Sequence, residues 1–436
     1  MECQAMKAII GDLINEFYEH DLPELQKRDI HFPRIARKAT VVMGMRRTGK
    51  TFFCYQEMIS LLDSGVLKSQ ILYINLDDDR LINFSVNDFQ TMLDVYYARW
   101  PENKAKLCYF FFDEIQTVTN WELFIRRLID TEKVQVTLTG SSSKLLSTEI
   151  ATTLRGRTIS CEVFPYSFKE YLFAHKLFKR IPAHLTSTDK AKLRNAVADY
   201  FVCGGFPEVQ GLSFFDQYNI LQSYVDSVVL KDVAERHKIS NHHVLRQMVS
   251  TVTNNVAERF SVTNFYRMLK NAGISSSKNV LYDYLEYFTD AYLFYQVPLH
   301  TESIRMQQVN PRKLYVIDNG LQKSMSLDPS KNYGHLLENL VYLELRRKQY
   351  TIEYLITKEK YEVDFFARMR GGDDRMLIQV AYQLNSPETL NRELRAMQSA
   401  AEYLAVTNCL IVTWDDEREF ENGIKAVPIW KFLLLP

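Results

Sequence analysis

Eight residues constrain this chain more than any others. Gly44-Met-Arg-Arg-Thr-Gly49-Lys50-Thr51 stands between an apolar run at Val41-Val42 and a helical pattern from Thr51 to Leu62. The spacing G-x-x-x-x-G-K-[ST] lets successive backbone N–H groups close around phosphate oxygens at a helix start, whose positive dipole end adds to the attraction. In that geometry Lys50 neutralises the β and γ oxygens, and the Thr51 hydroxyl is a ligand for Mg²⁺. The motif therefore demands a fold as well as a site, because a strand must enter the loop and a helix must leave it. Gly44, Thr48, Gly49, Lys50, Thr51 and Phe52 are the residues expected against ATP. Arg46 and Arg47, inside the loop, either touch phosphate or pack outward.

Further apolar runs at Ile71-Leu-Tyr-Ile-Asn-Leu, Leu107-Cys-Tyr-Phe-Phe-Phe and Val134-Gln-Val-Thr-Leu-Thr are aromatic and β-branched, with little polar alternation. Such runs are strands of a parallel sheet covered on both faces, which gives an α/β class with crossover helices. The second run ends in Asp113-Glu114. A carboxylate at the sheet's C-terminal edge can hold Mg²⁺ through water, and the adjacent Glu can orient or deprotonate an attacking water. That pair favours hydrolysis over a small-molecule kinase, which needs no water-activating Glu there. The third run ends at Thr139-Gly140-Ser141-Ser142, where Ser141 is the candidate to sense the γ-phosphate and a plain turn is the alternative. Leu154-Arg155-Gly156-Arg157 follows. Either Arg155 or Arg157 could stabilise transition-state charge in cis or in trans, or both could serve ion pairs at a domain edge.

Beyond Phe164-Pro165-Tyr166 the pattern turns helical until about residue 290. A helix start at Ser261, a turn at Gly273, a Ser-rich joint at Ser275 to Ser277, a helix through Tyr287 and an extended Ala291–Val297 follow the order of a winged helix. The last hundred residues return to mixed α/β. A helix is expected from about His335 to Lys348, with strands near Ile352–Leu355, Val363–Ala367, Met376–Ala381 and Cys409–Thr413 and a helix from Pro387 to Ala405. The division is residues 1–37 as an N-terminal helical segment, 38–205 as the ATPase domain, 206–300 as the winged-helix-like domain, 301–335 as a connecting segment and 336–436 as the final α/β domain. At 436 residues, about three domains is the ordinary expectation.

Taken together, the phosphate loop, Phe112-Asp-Glu-Ile-Gln, Thr139-Gly-Ser-Ser-Ser-Lys-Leu-Leu, Leu154-Arg-Gly-Arg, Phe164-Pro-Tyr-Ser-Phe-Lys-Glu-Tyr-Leu and Gly204-Gly-Phe-Pro-Glu resemble the prokaryotic AAA-superfamily P-loop ATPases with a winged-helix and nuclease-like C-terminal half. The resemblance covers nearly the whole chain. It implies a P-loop NTPase parallel sheet, a helical winged-helix-like domain and a restriction-nuclease-like α/β domain. It also implies ATP and Mg²⁺ as cofactors, ATP hydrolysis, and a nucleic-acid or defence-related role.

Nucleases of that type bind Mg²⁺ with an acidic residue on a helix, an Asp on a strand and an acidic-x-Lys on the next strand, the lysine positioning the attacking water. Glu338 and Asp364 fit the first two places. Gln379-Val-Ala381 departs at the third, since Gln379 carries no charge and Ala381 cannot replace a lysine. Lys358 and Lys360 are the nearest lysines to reach in. The site reads as degenerate, and the domain as one used for binding or assembly.

Charge limits the partners. Fifty-three basic and fifty-three acidic residues cancel, so no global cationic field marks a sequence-independent nucleic-acid coat. Residues 231–300 hold 8 Lys+Arg against 6 Asp+Glu, so local DNA binding there competes with a helical interaction module. Residues 336–436 hold 13 against 16 and favour no phosphate-tracking surface. The six cysteines are scattered without a C-x-x-C pair, which fits a reducing cytoplasm and disfavours zinc or a disulfide scaffold. No apolar run approaches the roughly 20 residues of a membrane span, and no secretion signal precedes the first amphipathic pattern. The sequence therefore points to a cytoplasmic Mg-dependent ATPase that moves or assembles its C-terminal domains, with homo-oligomer formation among its expectations. A nucleotide-gated switch with little turnover and an ATP-regulated nuclease are the alternatives.

Overall fold

The computed structural model describes residues 2–141, 153–154, 156–326 and 333–435. The chain gathers into two compact units, Met1–Val163 and Phe164–Pro436.

In the first unit, β1 (Ala39–Met43), β2 (Ile71–Asn75), β3 (Cys108–Asp113), β4 (Val134–Gly140) and β5 (Thr158–Glu162) form one sheet in the order β2-β3-β4-β1-β5. Every neighbouring pair is parallel. Parallel strands need crossovers, and the helices Lys50–Asp63, Asp88–Arg99 and Trp121–Thr131 supply three of them. β4 lies between β1 and β3, with Val42 level with Thr139 and Phe112 level with Leu138. The end of β4 therefore stands between the phosphate loop and Asp113.

The helix Lys50–Asp63 buries Phe53, Cys54, Glu57, Met58 and Leu61, a three-and-four spacing that gives one apolar stripe. That stripe packs with Val42, Ile71, Phe111, Cys161 and Val163 in one cluster. Each large side chain removed from water there contributes roughly 1.5–3 kcal/mol, so the element that carries Lys50 and Thr51 is held by its core face. Phe89 and Phe124 stack at 4.2 Å, and both rings meet Phe112 edge-on. These contacts fix the strand that ends in Asp113.

The second unit opens with the helices Phe168–Ala174, Ser187–Cys203 and Phe214–Ser227, the last continued by a π-helical stretch to Glu235. Then come the helix His242–Asn254, β6 (Arg259–Phe260), the helices Val262–Asn271 and Lys278–Asp290, β7 (Phe294–Val297) and β8 (Arg312–Val316). β6, β8 and β7 pair antiparallel in that spatial order. Ser261 and Ser277 accept the N–H of Asn264 and Val280 and so cap the two helices they precede, which is why those helices start where the sequence expects.

The helix Tyr333–Arg347 is buried along most of its length and precedes a six-stranded mixed sheet. Its strands are β9 (Tyr350–Ile356), β10 (Glu362–Met369), β11 (Arg375–Ala381), β12 (Asn408–Thr413), β13 (Arg418–Glu419) and β14 (Lys425–Pro428), in the order β13-β14-β12-β11-β10-β9. The helix Pro387–Leu404 joins β11 to its parallel neighbour β12. The class is thus α/β, with a P-loop NTPase parallel sheet, then a helical region, then a mixed sheet. No helix among the described residues is long and apolar enough to cross a membrane.

Gly204-Gly-Phe-Pro-Glu has a structural reason. A Cβ at Gly204 would lie 2.0 Å from Asp318 Oδ1, and one at Gly205 would lie 2.3 Å from the Tyr166 carbonyl. The pair lets the chain close on Asp318, whose buried carboxylate accepts the N–H of Gly205 at 2.7 Å and of Leu321 at 3.0 Å.

Candidate functional site

At the C-terminal edge of the first sheet the loop after β1 turns through Gly44, Arg47 and Gly49, all with positive φ. Gly44 is obligatory, because a Cβ there would meet the Val163 carbonyl at 2.2 Å. The loop is braced from within by Thr48, whose hydroxyl donates to the Met45 carbonyl at 3.0 Å. It is braced from outside by Arg28, whose guanidinium donates to the Thr48 carbonyl at 2.9 Å. Gln56 anchors Arg28 in turn, accepting its N–H at 2.6 Å and donating to its carbonyl at 3.2 Å.

The buried Lys50 ammonium donates to the carbonyls of Gly44 and Met45, both at 3.1 Å. Thr51 donates to Asp113 Oδ2 at 2.7 Å. Tyr73, on β2, donates to the same oxygen at 3.1 Å, and Tyr55 donates to Tyr73 at 3.3 Å. Asp113 Oδ1 accepts the Thr139 hydroxyl, and Thr139 accepts the Glu114 N–H at 3.0 Å. One hydroxyl on β4 therefore ties together the two carboxylate-bearing residues. Burial, then the Asp113 charge, pushes the Tyr73 phenol far above its ordinary range, so it remains a donor.

Glu114 stands in the left-handed region at φ 52, a turn that ends the strand, and its carboxylate accepts the Gln116 amide. Ser141 is buried at the end of β4. Arg46 is half-buried and Arg47 exposed. Phe52 is exposed and meets Tyr55 edge-on at 5.8 Å.

The two candidate arginines differ in what is described. Arg155 and Ser142 lie outside the described residues. Arg157 is placed at the start of β5, where its carbonyl accepts the Ala39 N–H at 2.7 Å and its guanidinium pairs with Asp130 at 2.8 Å. β1 spans Ala39–Met43, about 15 Å at the ordinary rise per residue, before the loop begins, so Arg157 sits at the sheet edge opposite the loop. Its contact with Asp130 is the ion-pair alternative. Sequence reasoning also missed Arg28, Tyr73 and Thr139. Thr139 had a signal, since it precedes Gly140-Ser141 at the end of an apolar strand.

The second unit holds another ionic cluster. Glu338 and Asp364 do come together, around a lysine that sequence reasoning overlooked. The buried Lys313 ammonium lies 2.9 Å from Glu338 Oε1, 2.9 Å from Asp364 Oδ1 and 2.9 Å from Glu362 Oε1. Tyr315 donates to Glu338 Oε1 at 2.7 Å, and Arg259 pairs with Glu362 Oε2 at 3.1 Å. Lys313 and Tyr315 are two apart on β8 and so share one strand face. Burial opposes the Lys313 charge, but Asp364, Glu338 and Glu362 outweigh it and hold the ammonium protonated. Burial, then Asp364, raises the Glu338 carboxyl. Lys358 and Lys360 do not supply the missing cation: Lys358 lies over the Tyr403 ring at 5.6 Å, and Lys360 is an exposed turn residue with positive φ.

A Mg²⁺ of the kind bound by the nucleases that the sequence resembles does not fit the residues present at this cluster. Gln379 Oε1 accepts the Asp364 N–H at 3.2 Å, and Asp364 Oδ2 accepts the Val380 N–H at 3.0 Å. The oxygens of Asp364 and Gln379 are thus already engaged. Among the described residues no group of three or more His, Cys, Asp or Glu is placed to hold a metal ion.

Comparison with known proteins gives three successive family matches. The family described as "AAA domain" matches residues 36–172, and two domains of unknown function match 194–331 and 333–432. An uncharacterised protein of Methanocaldococcus jannaschii is 37% identical over 423 residues, 93% of this chain and 90% of that one. An uncharacterised protein of Haemophilus influenzae is 30% identical over 354 residues, 80% of this chain and 84% of that one. Among solved structures, the Aeropyrum pernix ORC1 protein in complex with DNA aligns with 75% of this chain and 92% of its own, at 12% identity and a TM-score of 0.26, too distant to bear on function. The chain belongs to the same family as the Methanocaldococcus jannaschii and Haemophilus influenzae proteins, and its first unit carries an AAA-type P-loop ATPase domain.

Proposed function

We propose that the first unit binds and hydrolyses ATP with Mg²⁺, and that turnover moves or assembles the C-terminal domains. One observation carries the reading: Thr51 donates to Asp113, and Thr139 joins Asp113 to Glu114, at the sheet edge where the phosphate loop and Lys50 lie. The Thr51 hydroxyl and Asp113 carboxylate are hard oxygen donors 2.7 Å apart, a set that suits Mg²⁺. Bound there, the ion would neutralise charge on the β and γ oxygens.

The remaining work belongs to the chain. Loop amides and Lys50 bind the phosphates of ATP, Lys50 exchanging the two carbonyls for phosphate oxygens. Glu114 takes the proton of the attacking water. Thr139 fixes Glu114 relative to Asp113 by holding the N–H of one and the carboxylate of the other. Ser141 senses the γ-phosphate. Any arginine contribution from Arg157 comes from a second copy of the chain.

For the region 242–316 the helix–strand–helix–helix–strand–helix–strand order, with the short helix Ile304–Val309 between β7 and β8 and with β8 between β6 and β7 in the sheet, supports a winged-helix-like reading. The exposed residues of its helix Lys278–Asp290 include Lys278, Tyr282, Asp283 and Glu286. Two acidic groups against one basic group favour a protein partner over a phosphate backbone on that face.

Phosphate release measured for the parent and for Glu114→Gln tests the mechanism. Turnover should fall at least about 100-fold, while nucleotide affinity stays within about threefold. A variant as fast as its parent removes Glu114 from the role of base. Running the assay beside a mass measurement, with and without DNA, separates the ATPase from a nucleotide-gated switch. A parent with negligible turnover that assembles when ATP is added is the switch.

A further inference from the structure

We propose that Lys313 takes the place of a divalent metal in the second unit. The carboxylate cluster is then a metal-independent tie between β8, the helix Tyr333–Arg347 and β10, with a cation site latent beneath the lysine. The proposal stands apart from the ATPase reading and rests on how the donors and acceptors are used up.

An ammonium has three N–H donors, and Lys313 finds three carboxylates, each at 2.9 Å. The contacts to Glu338 and Asp364 are hydrogen bonds and that to Glu362 is an ion pair. On the acceptor side, Asp364 gives one oxygen to Lys313 and the other to the Val380 N–H. Glu338 Oε1 takes both Lys313 and Tyr315, and the Gln379 oxygen that a metal would need is turned to the Asp364 N–H. Mg²⁺ demands near-octahedral oxygen ligands at about 2.1 Å. Such an ion would have to enter beside a positive charge that already sits among its ligands.

The position of the lysine gives the cluster its mechanical sense. In the nuclease arrangement that the sequence resembles, the lysine stands on the strand after the Asp. Here that strand is β11, which offers Gln379 and Ala381. Lys313 comes instead from β8, the central strand of the three-stranded sheet. Asn339, next to Glu338, clamps the same strand by accepting the Val316 N–H at 2.9 Å and donating to the Val316 carbonyl at 3.0 Å. Charge and amide contacts therefore seat β8 on the helix in one register.

Removing the ammonium leaves buried carboxylates facing one another, an arrangement that is strongly destabilising. Either protons or a hard cation must then relieve it. Lys313→Met keeps the chain volume and removes the charge. In the full chain without nucleotide we expect its melting midpoint to fall by about 5 °C or more. Millimolar Mn²⁺ should restore part of that loss, and should not do so when Asp364→Asn is added. The parent midpoint should not depend on Mn²⁺ through Asp364.

A Lys313→Met midpoint equal to the parent's would overturn the tie, and a drop that Mn²⁺ leaves untouched would overturn the latent site. Should the variant fail to fold, Mn²⁺ titration of the parent and of Asp364→Asn, followed by electron paramagnetic resonance, decides the question. Equal binding in the two supports a site closed by Lys313. Binding in the parent that Asp364→Asn abolishes refutes it, as does Mg²⁺-dependent DNA cleavage by the parent that Asp364→Asn removes.

Discussion

Two buried lysines define the two units of this protein, and they are held in opposite ways. Lys50 donates to the carbonyls of Gly44 and Met45, neutral acceptors that an incoming phosphate outbids. Lys313 donates to two carboxylates and pairs with a third, and nothing short of a change in charge would release it. The carboxylates differ in the same sense. Asp113 is held by the hydroxyls of Thr51, Tyr73 and Thr139, which can turn to new partners, whereas Asp364 is held by an ammonium and a backbone N–H. A binding site keeps its charges on exchangeable neutral groups, and a tie spends them on each other.

The largest expected effect puts that contrast to a double test. Lys50→Ala should weaken ATP binding by at least about 100-fold, the loss of a charged partner to phosphate, with little change in the melting midpoint of the chain without nucleotide. Lys313→Met should do the reverse, leaving nucleotide affinity within about twofold while lowering the midpoint. Fluorescent-nucleotide titration and thermal denaturation of both variants give the four numbers. A Lys313→Met variant that loses ATP affinity would erase the distinction between a site lysine and a tie lysine.

Asp318 extends the comparison to a buried carboxylate held by backbone N–H groups rather than by a cation. Burial pushes it up to about 6, the N–H groups of Gly205 and Leu321 offsetting part of the rise. The folded chain thus binds this proton more readily than the unfolded one. Stability from Asp318 is full below about pH 4 and is lost as the pH rises toward 6, by up to about 3 kcal/mol. Asp318→Asn cannot titrate. Its midpoint should be lower overall, since one amide N–H faces the Gly205 N–H, but the difference from the parent should narrow between pH 4 and 6. A constant difference would show that Asp318 is ionised throughout.

The same contrast explains what the sequence could show. The phosphate loop, Asp113-Glu114 and the ends of β1, β3 and β4 are legible because contiguous motifs fix them: strand, loop and helix follow one another, and the candidate carboxylates stand at the end of an apolar run. Arg28, Tyr73 and Lys313 are not legible in that way. Arg28 reaches the Thr48 carbonyl from 20 residues upstream, and Lys313 meets Glu338 and Asp364 from 25 and 51 residues away. Only the pairing of strands brings such residues together. Lys313 also hides in a segment, 301–335, whose composition suggests a connector, although the alternation Lys313-Leu-Tyr315-Val has the period of a strand. The place of Arg157 is not legible for the complementary reason: nearness in sequence to Ser141 says nothing about which edge of the sheet the next strand starts from.

The smallest effects are expected among the hydroxyls around Asp113. Thr139→Val removes the one group that contacts both Asp113 and the Glu114 N–H, and should lower kcat by about tenfold, with the KM for ATP changed by less than twofold. Tyr73→Phe removes only one of two donors to Asp113 Oδ2 and leaves Thr51 in place, so its loss should be about threefold, near 0.7 kcal/mol. If Tyr73 positions the carboxylate for Mg²⁺, that loss appears as a higher Mg²⁺ requirement and fades at saturating Mg²⁺. A purely structural role for the phenol would lower the melting midpoint and leave the Mg²⁺ dependence where it was. Because neutral donors are what keep Asp113 exchangeable, a Tyr73→Phe variant with a lower Mg²⁺ requirement would mean that the phenol competes with the ion instead of preparing its place.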